Sequence, residues 1–248
     1  MIGTDVAWFK IAGKSSLDFG IRVNLDDAFT YGAEEYETID VLGRTGTIIF
    51  QKNRASNVEM RYKCLVKTNV PENIAALAKW LALHPGYVTL EDSYHRGLFR
   101  RGYQVAGLRA SHARGIYARF DLVFSCDPRW WIAAGQVAES YTDTVVNQYI
   151  KNGTDFEAFP IFEITGSGGL LKLYHGDETA FVNIAEPLPS GGLVIDTETL
   201  VAYDAASKSL KNNLVMYSGL YPSLLPGTTR IAPSSGMTVA VTPRWYTL

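Results

Sequence analysis

The chain has 248 residues, 47% hydrophobic, 12% aromatic and 19% charged, with a formal net charge of −2. That apolar content excludes a disordered chain, and the length fits two domains of ordinary size or one large β-domain. Dispersed cations and a negative balance exclude an electrostatic footprint for sequence-specific nucleic acid, and no apolar run reaches the ~18 residues needed for membrane insertion.

Short strands are predicted at 6–11 and 20–23, separated by a turn-prone stretch from Gly13 to Asp18. The polar, acidic segment Asp26 to Glu37 reads as a long loop or arm. Thr38–Leu42 then meets Gly43-Arg44-Thr45-Gly46, a turn, before Thr47–Phe50. Val58, Met60, Tyr62, Cys64 and Val66 alternate with polar residues, which predicts a strand with one buried face. A helix is predicted over 71–83: Pro71 suits its first turn, Ile74, Leu77, Ala78 and Leu81 line one face, and His84-Pro85-Gly86 stops it.

Strands at 87–90, 98–108 and 116–126 complete a β-rich first half. In the last of these Ile116, Ala118, Phe120, Leu122, Phe124 and Cys126 take every second place. Pro128 ends the pairing, and Trp130 and Trp131 follow at once, a pair that needs apolar cover. We read Pro128, Trp130 and Trp131 as a hinge between domains 1–133 and 134–248. After a polar stretch at 136–149, strands at 160–164, 170–174, 180–184, 193–196, 200–203, 214–217 and 237–242 alternate with turns, the pattern of a β-sandwich or jelly roll. The segment 244–248 either closes the sandwich or returns to the first domain.

Fragments that resemble catalytic motifs lack their context. Gly13-Lys14-Ser15 would need a glycine where Trp8 stands, and Asp18-Phe19-Gly20 has no kinase catalytic loop beside it. His84, His95, His112 and His175 are scattered, with no ligand spacing, and no Gly-x-Ser-x-Gly elbow occurs. Glu34-Glu35, Glu37 and Glu91-Asp92 read as solvated loop carboxylates rather than a glycosidase pair. Asn152-Gly153-Thr154 reads as a plain turn rather than a glycosylation acceptor, since 1–5 show no secretory signal. Cys64 and Cys126, on apolar strand faces, read as buried thiols rather than a disulfide. No catalytic, cofactor-binding or metal-binding residue is assigned. The low charge fits a surface partly covered by partners, or simply an all-β protein.

Several segments, taken in order, resemble one family: the distal tail proteins of long, flexible-tailed bacteriophages. Thr38–Thr47 is similar to the family's early Gly-Arg-x-Gly turn, and Phe124–Trp131 to its Phe-x-Cys-x-Pro segment closing the first domain. Asn152-Gly153-Thr154 followed by Ala158–Gly168, then Leu193–Glu198, Tyr221-Pro222 to Pro226-Gly227, and Thr242–Trp245 continue the series. Thr228-Thr229 stand where the family pattern has an asparagine.

The resemblance implies an all-β fold with one helix: a β-barrel-like, ring-forming first domain and a galectin-like β-sandwich second domain. It implies a structural hub without enzymatic activity or cofactor, at the virion tail tip and assembled in the bacterial host cytoplasm. Six copies would form a homohexameric ring with a central channel for DNA. Its partners would be the tail tube protein, the tail-associated fibre or lysin protein, and receptor-binding proteins. Asp26, Asp27, Phe29, Tyr31, Glu34, Glu35 and Tyr36 are the candidate arm toward a neighbouring subunit. The competing readings are a carbohydrate-binding module or lectin of the tail tip, suggested by the aromatics, and a polysaccharide-degrading tail enzyme.

Overall fold

The computed structural model describes residues 6–25, 30–113 and 116–248. The chain divides into two compact units between Trp130 and Trp131. It is mostly β with one helix, as the sequence predicts.

The first unit contains β1 (Phe9–Ile11), β2 (Lys14–Ser15), β3 (Ile21–Leu25), β4 (Glu34–Ile39), β5 (Ile48–Ala55) and β6 (Val58–Val66). Helix α1 (Val70–Leu83) follows, then β7 (Val88–Asp92), β8 (Leu98–Gln104), β9 (Ser111–Ala113) and β10 (Tyr117–Cys126). An antiparallel sheet runs β2-β1-β7-β8-β10-β6-β3, with β9 beside the first residues of β10. Its register puts Cys64 opposite Phe120 and Tyr62 opposite Leu122, so the alternating apolar sets of β6 and β10 share one buried face. Helix α1 covers that face: Val70 and Leu77 are buried in the core, with Ile74, Trp80 and Leu81 packed against it. Trp80 Nε1 donates to the Ile11 carbonyl at 3.1 Å, tying the helix to β1.

The Asp18-Phe19-Gly20 triplet is a capped 3-10 turn. Ser15 Oγ accepts from the Leu17 amide, Asp18 accepts from the Ser15 amide, and Phe19 is buried. This is the reciprocal capping arrangement that satisfies orphan donors at a helix start.

Two expectations need correcting. The stretch predicted as a loop or arm ends in a strand, because Glu34–Ile39 pairs with β5 in a hairpin of its own. Its polar side chains carry no period-two apolar signal, so only the pairing reveals it. Asp92, expected to be a solvated loop carboxylate, lies on β7 and is buried.

From the division onward come β11 (Trp130–Ile132), β12 (Glu139–Thr142), β13 (Gln148–Asn152), β14 (Ile161–Gly166), β15 (Gly169–His175) and β16 (Glu178–Ile184). They are followed by β17 (Leu193–Asp196), β18 (Val201–Asp204), β19 (Val215–Gly219), β20 (Gly227–Ala232), β21 (Met237–Thr242) and β22 (Tyr246–Thr247). One sheet is ordered β12-β21-β14-β17-β18 and the other β13-β20-β15-β16-β19. Phe162, Ile164 and Val239 from the first sheet meet Leu171, Val182 and Ile231 from the second in one core, which makes the unit a galectin-like β-sandwich. Strands β12, β13 and β20 escape the sequence because each buries only one or two side chains, between polar neighbours.

Two polar clasps close the sandwich. Asn152, buried in an apparent turn, donates to the carbonyls of Phe156 (2.8 Å) and Leu224 (2.9 Å) and accepts from the Thr154 amide and hydroxyl. Arg244, only 4% exposed, donates to the Phe159 carbonyl and forks onto both Asp196 oxygens, at 3.2 and 2.7 Å. Ile132 donates to the Trp245 carbonyl and Trp131 packs on Tyr246, so Trp245 and Tyr246 lie against residues of this unit, while Leu248 groups with the first. Asn152→Ala, which removes one donor from each of the Leu224 and Phe156 carbonyls and the acceptor of the Thr154 amide, is expected to lower stability by roughly 2 kcal/mol in denaturant titration, with Asn152→Asp at least as costly because it sets a buried carboxylate oxygen against those carbonyls.

Candidate assembly surface

The β4–β5 hairpin stands apart from the main sheet. Ile39 faces Ile48, Thr38 faces Ile49, Glu37 faces Phe50 and Tyr36 faces Gln51. Side chains directly opposite each other share a face. Ile39, Ile48 and Phe50 therefore project from one side, and Tyr36 and Ile49 from the other. Ile49 is 63% exposed and Phe50 52%, with Tyr31, Tyr36, Ile39, Val41 and Leu42 also exposed. A two-stranded ribbon is marginal in water by itself, and apolar side chains on both its faces call for cover.

At the tip, Gly43 and Gly46 take left-handed backbone angles, the Arg44 amide donates to the Val41 carbonyl, and Thr47 Oγ1 donates to Asp40. Near the base, Arg54 pairs with Glu35 at 2.9 Å, and Gln51 Nε2 donates to Glu34 at 3.5 Å. Of the proposed arm residues, Tyr31, Glu34, Glu35 and Tyr36 are on or beside this hairpin. Asp26, Asp27 and Phe29 lie outside the described residues.

The hairpin's base is fastened to the segment around Pro128. The Ser56 amide donates to the Ala33 carbonyl at 2.9 Å. A Cβ on Gly32 would lie 2.6 Å from Pro128 Cβ and 2.7 Å from the Ser56 carbonyl oxygen, so no larger residue fits there. Beneath them lies Arg100, which is fully buried. Its Nη2 donates to the carbonyls of Thr30 (2.6 Å) and Pro128 (3.3 Å), and its Nη1 approaches Met60 Sδ at 3.2 Å. The guanidinium carbon sits 4.1 Å from the centroid of the Trp130 ring. His95 stacks on that ring as well, with centroids 4.1 Å apart, so Trp130 is gripped by a guanidinium and an imidazole.

His95 Nδ1 lies 2.9 Å from Asp92 Oδ1, which also accepts the amides of Tyr94 and His95, while Asp92 Oδ2 accepts the Tyr62 hydroxyl. Burial alone would raise the Asp92 carboxyl. The hydrogen bonds and charge of His95, with the Tyr62 hydroxyl and the His95 amide, outweigh it and hold the carboxyl below the usual aspartate value. Burial and the neighbouring carboxylate push the Tyr62 hydroxyl well upward. Asp127 fixes Arg129 through its amide and guanidinium, the closest contact being 2.7 Å.

The sequence points to Pro128, Trp130 and Trp131, and the structure places Trp130 in the first core, while Trp131 is buried, falls in the second unit and lies beside the Tyr246 ring. It gives no sign of Arg100, Asp92, His95 and Tyr62. The one available clue is that Arg100 shares a strand face with Leu98 and Gly102. Among the described residues, no group of three or more His, Cys, Asp or Glu is arranged to hold a metal ion. Among the described residues, no helix is long and apolar enough to cross a membrane.

Arg100→Lys keeps the charge but cannot hold both carbonyls and cover Trp130, so a stability loss of about 2 kcal/mol is expected. Protection of the 30–33 amides in hydrogen exchange should fall with it. Asp92 supplies stability that is complete above the ordinary aspartate value of 3.8 and is lost as pH falls through its lower folded value. Asp92→Asn should remove that acid dependence, read as a flatter profile of unfolding free energy below this pH.

No family model matches the chain, and no curated protein does so. Among solved structures, the chain is similar to the crystal structure of the Dit protein (gp 19.1) of phage SPP1, described as a paradigm of the hub adsorption apparatus in phages infecting Gram-positive bacteria. The likeness has a TM-score of 0.65 and covers 98% of this chain and 100% of that one, at 13% sequence identity. At that identity it shows a shared fold, and the fold is the one expected from the resemblance to distal tail proteins.

Proposed function

We propose that this chain is a structural hub of a phage tail tip, working by self-association rather than by catalysis. The observation that carries the reading is the likeness to a hub protein over essentially the full length of both chains. In this reading six copies form a ring by one heterologous contact repeated through a closing rotation. The ring joins the tail tube to the fibre or lysin protein and leaves a central channel for DNA. Receptor-binding proteins are further candidates for docking at its periphery.

The β4–β5 hairpin is the subunit-contact arm of this hub. It is supported by apolar side chains exposed on both faces of a ribbon whose base is tightly pinned. Such a ribbon holds its direction at the root and gains cover only from outside its own unit. In this reading the joint between the units lies at the Trp130–Trp131 step, supported by the burial of both rings and by the division of the chain there.

Negative-stain electron microscopy of the purified, lightly cross-linked chain should show six-fold rings with a central hole. Ile49→Lys with Phe50→Glu should abolish them, while thermal stability changes by no more than about 0.5 kcal/mol because both positions are already solvated. Intact rings from the double variant would remove the hairpin from the contact. A wild-type chain that stays monomeric when mixed with its tail tube protein would end the ring reading.

A further inference from the structure

Charge is segregated between the two sheets of the second unit. The strands β12, β14, β17, β18 and β21 contain no lysine or arginine, and Glu163 and Asp196 stand on their outward side. The opposite sheet reverses this. Its strands alternate between core-facing and outward residues, and the outward set holds Lys151, Lys172 and Arg230 but no Asp or Glu. None of the three cations has a carboxylate partner among the described residues.

Aromatic rings lie between these cations. Tyr149 is opposite Arg230 on the neighbouring strand, and Arg230 is opposite Tyr174 on the next. The Arg230 guanidinium rests 3.9 Å from the Tyr174 ring centroid, which restrains it beside that ring on the outer face. Lys172 faces Phe181 one row further on, and Tyr149 is 55% exposed. With strands about 4.8 Å apart and a shift of about 7 Å along the strand, Tyr149 to Phe181 spans roughly 16 Å, room for several linked sugar rings.

We propose that this face binds an acidic polysaccharide, with pyranose rings stacked on Tyr149 and Phe181 and sugar carboxylates held by Lys151, Lys172 and Arg230. A neutral glycan would leave three cations without a counter-charge. A nucleic acid would bring a dense row of phosphates to a chain whose overall charge is −2, with only three cations to meet them. Sparse cations interleaved with rings match a polymer that carries a carboxylate per sugar and exposes the apolar faces of its rings. The site does not depend on ring formation, and it is distinct from the hairpin.

The test uses the full chain in affinity electrophoresis and calorimetry, with oligogalacturonate, a maltooligosaccharide and oligothymidylate as probes. Saturable binding of oligogalacturonate, weakening with added salt, and none of the maltooligosaccharide is expected. Lys151→Glu with Lys172→Glu should weaken it at least about tenfold, and Tyr149→Ala severalfold. These side chains lie outside the core, so unchanged circular dichroism and melting verify that the variants fold. No binding of oligogalacturonate, or equal binding by the charge-reversed variant, overturns the proposal. Tighter binding of oligothymidylate than of oligogalacturonate would also overturn it and make the face a nucleic-acid platform.

Discussion

The buried guanidinium of Arg100 is the contact on which the first unit's functional geometry depends. A cation removed from water must find acceptors or lose several kcal/mol, and Arg100 finds the carbonyls of Thr30 and Pro128 and the face of Trp130. Those three groups come from the entry to the hairpin, the end of β10 and the last residue of the unit. A single desolvated side chain therefore fixes where the arm leaves and where the chain exits. Trp130 is held on its other contact by His95, which Asp92 orients through both the imidazole and the backbone amide. The order inside the core is thus transmitted to a segment with almost no core of its own.

That pinning explains why an exposed apolar ribbon can belong to a well-folded unit. The hairpin contributes little to the core, and its stability must come from its base and from whatever covers it. Gly32, closed in by Pro128 and Ser56, and the Ala33–Ser56 hydrogen bond provide the base. In the proposed assembly, exposed Ile49, Phe50 and Tyr36 would be an asset for association rather than a folding defect. The same residues on a free-floating loop would present no defined surface to a partner.

The sequence revealed those parts of the fold where apolar periodicity is long. Val58–Val66 and Tyr117–Cys126 alternate cleanly, α1 keeps a helical stripe, and each was predicted within a residue or two. Strands β12, β13 and β20 are invisible because a short strand with one or two buried side chains looks like any polar turn-rich stretch. The hairpin was half legible: the Gly43–Gly46 turn was plain, but Glu34–Tyr36 is a strand only because Ala55 and Gln51 lie across from it. The buried polar groups were least legible of all. Asn152 looked like a turn and Asp92 like a surface acid, since burial of one polar side chain is decided by residues far away in sequence.

The two units place their exposed resources differently. The first presents apolar side chains on a narrow ribbon, a surface that gains by exclusion of water against a shaped protein partner. The second presents cations and rings on a broad sheet face, with the acids collected on the opposite face. Because the cations lack carboxylate neighbours, their charge is not compensated within the unit, and a ligand supplying it meets no competing internal pair. On the two proposals, a protein contact needing shape complementarity and a polymer contact needing repeated charge and ring spacing would fall on different units of one chain. In that arrangement assembly and surface attachment need not compete for the same residues.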